Sequence, residues 1–239
     1  MSIWTRILDA LSALAAGEGL GQIFDRLRAA PAPERSVAFT IAILALAAKM
    51  AKADGAVTQD EVATFRTIFT LPREEEANAA RVFNLARRDV AGFDQYAHKV
   101  AALFNADAKT LCADDHHILI DILEALFAIA MADGAYHPRE DQFLAQVAQI
   151  FGLEARCFAQ VRARYVEGAP RDPFDVLGAA RDATLEDLRA AWRRAVKESH
   201  PDGMIARGVP PEAVQLAARR LIAVNEAWAT VQAQYAVRT

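Results

Sequence analysis

From Val37 to Ala48 the chain is apolar except for Thr40, and Lys49 closes the run. A segment that is apolar on every side has no face to offer water, so other elements must surround it. Its length falls well short of the roughly 20 residues that span a bilayer. It is therefore expected to be a central buried helix, with further elements packed around it. Those neighbours should also be helices. Ala is the commonest residue, while Gly (11) and Pro (9) are sparse in 239 residues, and helix propensity is highest for the first and lowest for the other two. The expected fold class is all-α. A net charge of −4 leaves no excess of Lys and Arg to neutralise phosphates, so nucleic acid is not an expected partner.

Other classes fall away on local grounds. Met1 to Ile7 lacks the basic stretch and long apolar core of a secretory signal, and no segment is long enough for a transmembrane anchor. The two cysteines, Cys112 and Cys157, lie too far apart for a C-x-x-C module. They read as buried small hydrophobes in a reducing cytoplasm, which is the expected location. No Gly-rich phosphate loop or nucleophile elbow is present, so neither an enzyme nor a cofactor is expected.

The chain divides at its Pro/Gly-rich stretches. Residues 1–34 form an N-terminal amphipathic segment and hinge, with Ile3, Ile7, Leu11 and Leu14 on one face and Pro31-Ala32-Pro33 at its end. Residues 35–166 read as a bundle of about seven helices. They run through Val37–Ala51, a capping box at Thr58 and Glu61, a start at Pro72, then Phe93–Asn105, Asp115–Ala132, Pro138–Phe151 and Glu154–Tyr165. Residues 167–171 are a linker, and residues 172–239 form a small C-terminal unit built on a helical hairpin. In the hairpin's first helix Leu185, Leu188, Trp192, Ala195 and Ser199 share the inner side. In its last helix Ala217, Leu221, Val224, Trp228, Val231 and Tyr235 do so, with a polar loop between.

Within the bundle an echo stands out: Ala53-Asp54-Gly55 and Ala132-Asp133-Gly134 each precede a helix start, with Glu61 and Glu140 at the same offset. The string looks like half an EF-hand. However, the first and third loop positions hold Met50 and Lys52 in one copy and Ile129 and Met131 in the other, and none of these can bind a hard cation. Gly ending one helix and Glu capping the next explains both copies. This stretch resembles the TerB-like helical domain, in which acidic residues have been proposed to bind metal. The matching positions are Asp54 and Asp133. Asp114-Asp115-His116-His117 is the other ligand-like string, of which only Asp114 and His117 could share a helix face. The same residues suit the N-cap of the apolar run Ile118–Met131. No metal is expected, and Asp54, Asp133, Asp114 and His117 are the candidates should one bind.

The C-terminal unit carries the specific signal. Arg189, Arg193 and Lys197 fall at i, i+4 and i+8, with Arg194 beside them. Each like-charged pair at that spacing costs about 0.2–0.5 kcal/mol, so the row needs a reason. It runs straight into His200-Pro201-Asp202. With Asp172-Pro173-Phe174-Asp175-Val176-Leu177-Gly178, Ala191-Trp192-Arg193-Arg194 and Val224-Asn225-Glu226-Ala227-Trp228, this resembles the J domain of DnaJ-type co-chaperones. Four motifs stand in the family's order. A TerB-like domain ahead of a C-terminal J domain, and the stretch Met204 to Glu212, are similar to the DjlA subgroup. The sequence departs from the pattern at Gly203, where Lys often follows the tripeptide, and at Ser199, where Tyr or His often precedes it. It also lacks the Gly-rich transmembrane start of the enteric members.

The resemblance implies a co-chaperone that binds a DnaK-type ATPase and stimulates its ATP hydrolysis. Arg189, Arg193, Arg194 and Lys197 would steer association, and His200, Pro201 and Asp202 would make the regulatory contact. The helical domain would supply an unknown client or partner. The alternative is a metal- or stress-sensing helical module with a degenerate J-like docking tail.

Overall fold

The computed structural model describes residues 32–54, 92–104, 117–166, 172–207, 209 and 215–236, together with residues 7, 63, 67, 68, 77, 80 and 83. Nine helices and no strand occur among the described residues. They are α1 (Ala32–Asp54), α2 (Phe93–Phe104), α3 (His117–Ala130), α4 (Pro138–Ile150), α5 (Ala155–Tyr165), α6 (Pro173–Leu177), α7 (Leu185–Glu198), α8 (Pro201–Arg207) and α9 (Gln215–Ala236). The helix starts expected at Thr58 and Pro72 lie outside the described residues, as do Cys112, Asp114 and the linker 167–171.

Helix α1 is the central element. Every residue from Val37 to Ala51 is buried. Lys49 does not close the buried stretch but lies inside it, its ammonium 4.9 Å from the centre of the Tyr96 ring. A buried ammonium over an aromatic face recovers part of its lost hydration through the ring quadrupole. Helices α2 and α3 pack on α1, and α4 and α5 pack on α3. Phe127 of α3 is the aromatic hub, with ring centres of Tyr136, Phe158 and Tyr165 at 5.9, 5.6 and 6.1 Å. Ile7, in the N-terminal segment, is wholly buried in the same core.

The turn between α3 and α4 shows why the Ala-Asp-Gly motif recurs. Gly134 has φ +80°, the left-handed region open to glycine. Asp133 Oδ1 accepts the backbone N–H of Ala135 at 2.9 Å, and Glu140 Oε2 accepts that of His137 at 2.9 Å. The acid shapes the turn and the glutamate caps the next helix, as read from the sequence.

The C-terminal unit has its own core of Val176, Leu177, Leu188, Ala195, Ala223, Val224, Ala227, Trp228 and Val231. Asp172 caps α6 by accepting from Phe174 N–H at 2.9 Å, and Gly178 stops it at φ +65°. Thr184 and Asp187 make a reciprocal capping box at the start of α7. Trp192 and Trp228 stack across α7 and α9, ring centres 5.4 Å apart and 16° from parallel, while Trp192 Nε1 donates to Asn225 Oδ1 at 3.0 Å. Two expectations are corrected here. Leu185 is not on the buried side but 42% exposed, because at the first helical position it lies at the edge of the hairpin. The segment after the tripeptide is not a loop throughout: residues 201–207 are α8, whose Met204 plugs into the bundle core together with Val209, Leu216 and Ala217.

Candidate functional site

Two places concentrate charge, and they differ in every physical respect. The first is the outer face of α7 and the start of α8. Arg189, Arg193, Arg194 and Lys197 are all exposed, so the row that propensity disfavours is turned to solvent, where its repulsion is screened. Arg194 lies 3.9 Å from Glu198, which relieves the row only at its end. Ser199, at the helix C-cap, is buried and donates to the carbonyl of Ala195 at 2.6 Å.

At Ser199 the chain turns, and the tripeptide starts a new helix. Pro201 occupies the first position of α8, where a missing N–H costs nothing and φ is already set for a helix. His200 precedes it and acts as the cap: its Nδ1 accepts the backbone N–H of Asp202 at 3.3 Å. With Nδ1 engaged as an acceptor, the neutral ring carries its proton on Nε2. The imidazole side chain is 64% exposed and the Asp202 side chain 89% exposed, their nearest atoms 3.8 Å apart. An outward imidazole and an outward carboxylate are thus presented side by side at the start of α8. The structure brings His200, Pro201, Asp202 and the basic row into one exposed region.

The second place was not anticipated. Asp121 and Glu124 interrupt the apolar run of α3, and both are completely buried. Arg220 of α9, 4% exposed, reaches both: Nε donates to Glu124 Oε2 at 2.8 Å and Nη2 to Asp121 Oδ1 at 2.5 Å. From α5, Arg164 Nη1 donates to Glu124 Oε1 at 2.7 Å. Burial pushes the Glu124 carboxyl up, but the Arg220 and Arg164 guanidiniums beside it outweigh that and hold it below its ordinary value. Burial would lower the Arg220 pKa, yet Glu124 and Asp121 raise it. The charged forms of Glu124 and Arg220 are thereby favoured. The sequence did carry a signal: two acids one helical turn apart inside an apolar run, and an arginine on the stripe of Leu216, Ala217 and Val224.

Of the four metal candidates, Asp133 alone has a described side chain, and Asp114 lies outside the described residues. Asp133 is exposed and engaged in the turn, its Oδ2 3.9 Å from His137 Nε2. Asp54 ends α1 and His117 begins α3. No group of three or more His, Cys, Asp or Glu side chains poised for a metal occurs among the described residues. Cys157 is a half-buried free thiol whose pKa is raised by burial. No helix among the described residues is long and apolar enough to cross a membrane.

Comparison with known proteins bears on both halves. The family described as tellurite resistance protein TerB matches residues 40–163. The co-chaperone protein DjlA of Photobacterium profundum is 30% identical over 210 residues, covering 77% of this chain and 73% of the relative. That of Coxiella burnetii is 25% identical over 77% of this chain and 72% of its own length. The DjlA of Escherichia coli strain K12 is 22% identical, with 98% of each chain covered. No solved structure matches the chain.

Proposed function

This chain belongs to the DjlA family of co-chaperones and contains a TerB domain, and from that premise we propose that its C-terminal unit acts as a J domain toward a DnaK-type ATPase. As a co-chaperone it is a regulator of a chaperone partner rather than an enzyme. The finer reading is that residues 172–236 bind the partner in the conformer competent for hydrolysis, and so stimulate ATP turnover. A regulator can shift such an equilibrium only by its differential affinity for the two states. The bundle supplies the client or the additional partner. Its action belongs to the cytoplasm, where an ATP-dependent partner works.

The observation that carries this is the exposed His200-Pro201-Asp202 start of α8, set directly beyond the outward basic row of α7. Cations on that row steer encounter with an acidic surface. His200 and Asp202 then make the short-range contact, the carboxylate as acceptor for a cationic side chain of the partner. The test is single-turnover ATP hydrolysis by a DnaK-type chaperone. His200→Gln and Asp202→Asn should each abolish stimulation. Asp202→Asn should shift fold stability by no more than about 0.5 kcal/mol. His200→Gln should cost up to about 1 kcal/mol, because it disturbs the cap of α8. Full stimulation by either variant would sink the assignment.

A further inference from the structure

We propose that Asp121, Glu124, Arg164 and Arg220 form a clamp that fixes the C-terminal unit in one orientation on the bundle. The docking face is then presented by a rigid body instead of swinging on residues 167–171. The part that names α7 and α8 as a docking face rests on the function proposed above; the clamp itself does not.

The geometry is specific. Arg220 belongs to the C-terminal helix α9, and its two carboxylate partners to α3 of the bundle. Its planar fork engages both acids at once, which fixes the rotation of the guanidinium as well as its distance. Arg164 holds the second oxygen of Glu124 from α5, so that carboxylate cannot turn to follow a displaced Arg220. Two acids face two guanidiniums, and the four side chains are between 0% and 7% exposed. Moving the unit by even one helical step would leave buried charges unpaired.

A second attachment, joined to the clamp through Arg164, holds α6 of the same unit. Arg156 Nη2 of α5 donates to the carbonyl of Gly178, and the Gln160 amide oxygen accepts the Gly178 N–H at 3.3 Å and Arg164 Nη2 at 2.9 Å. Holding α6 as well as α9 restricts the pivoting that the Arg220 contact alone would leave. Apolar contact is also present, through Met204, Val209, Leu216 and Ala217 in the bundle core. However, apolar burial is non-directional. A cleft of about 450 Å³, lined by Met131, Ala132 and Gly134 on one side and Arg219 and Ile222 on the other, reaches Arg164 and Arg220 of the clamp and shows that packing does not close the interface completely. Buried ion pairs add little over well-packed apolar groups in stability, and their best-attested use is to specify register. The clamp sets the angle and the apolar contacts supply the attraction.

Nitroxide labels at the exposed positions Gln142 and Gln232, with Cys112 and Cys157 replaced by Ala, read the distance between bundle and C-terminal unit in the full chain. The wild type should give one narrow distance peak. Arg220→Met should lose it while keeping helical circular dichroism. Because that variant leaves two carboxylates buried and could fail to fold, a second one replaces the whole cluster: Asp121→Leu, Glu124→Met, Arg164→Met and Arg220→Met together. It should fold and still lose the single peak. A broad wild-type distribution overturns the clamp, as does a narrow wild-type-like peak in the fourfold variant. The measurement needs no chaperone, so a narrow peak in a chain that fails to stimulate ATP hydrolysis would refute the proposed function alone.

Discussion

Glu124 concentrates the physics of the interior at one side chain. Its carboxyl sits below its ordinary value of 4.5 because two guanidiniums outweigh the cost of burial. A group whose folded pKa is depressed contributes stability above its unfolded value, and that contribution drains away as pH falls through the folded value. Glu124→Gln should therefore lower stability by about 3 kcal/mol at neutral pH. The gap to the wild type should close as the pH drops below about 4.5, because protonation then removes from the wild type the charge that the variant already lacks. Urea midpoints measured at neutral and acid pH would check it; a gap of constant size would mean that the pairing with arginine is not its source. Gly178 poses a different constraint. Its φ of +65° strains any other residue, and an added Cβ would have to push aside the Gln160 amide, which approaches to within 3 Å of that point. Gly178→Ala should cost about 1–2 kcal/mol in the left-handed backbone alone, visible as a lower melting temperature with α7 and α9 intact.

Helices were legible wherever one periodicity governed them. The wholly apolar α1, the capped α4 and α7, and the glycine stop of α6 all follow from pattern and capping chemistry, although α1 runs from Ala32 to Asp54, beyond the expected Val37–Ala51 at both ends and into the expected hinge at Pro31-Ala32-Pro33. What escaped was anything that needed a partner from a distant part of the chain. Asp121 and Glu124 read as blemishes in an apolar run, since their justification is Arg220, nearly a hundred positions later. The same holds for α8: seven residues after a proline give no period long enough to read, and only the burial of Met204 in the bundle fixes them as helix. The candidate site was read more fully, because exposed charge on a helix needs no tertiary explanation. For α7 this yields a prediction. Arg193→Glu with Lys197→Glu should leave far-UV helicity unchanged and slow association with the DnaK-type partner roughly tenfold. The wild-type rate should itself fall with salt, since exposed charges are screened over about 10 Å at 0.1 M. A salt-independent rate would reduce the row to a solvated face.

At the scale of the molecule, the units bounded by residues 167–171 are continuous in space though divided in sequence. Brief proteolysis between Glu167 and Asp172 should give two fragments that still co-elute on gel filtration and part only in denaturant. Separation in native buffer would mean that buried charge and four apolar plugs do not outweigh a cut chain. The paired indoles of Trp192 and Trp228 give the molecule an optical property as well. Helices α1 to α5 contain no tryptophan, and two indoles stacked at 5.4 Å couple their transition dipoles. An exciton couplet from this pair in the circular dichroism thus reports on the C-terminal unit. It will vanish when α7 and α9 separate, whatever the bundle does, and so lets the melting of one part of the chain be watched through the background of the other.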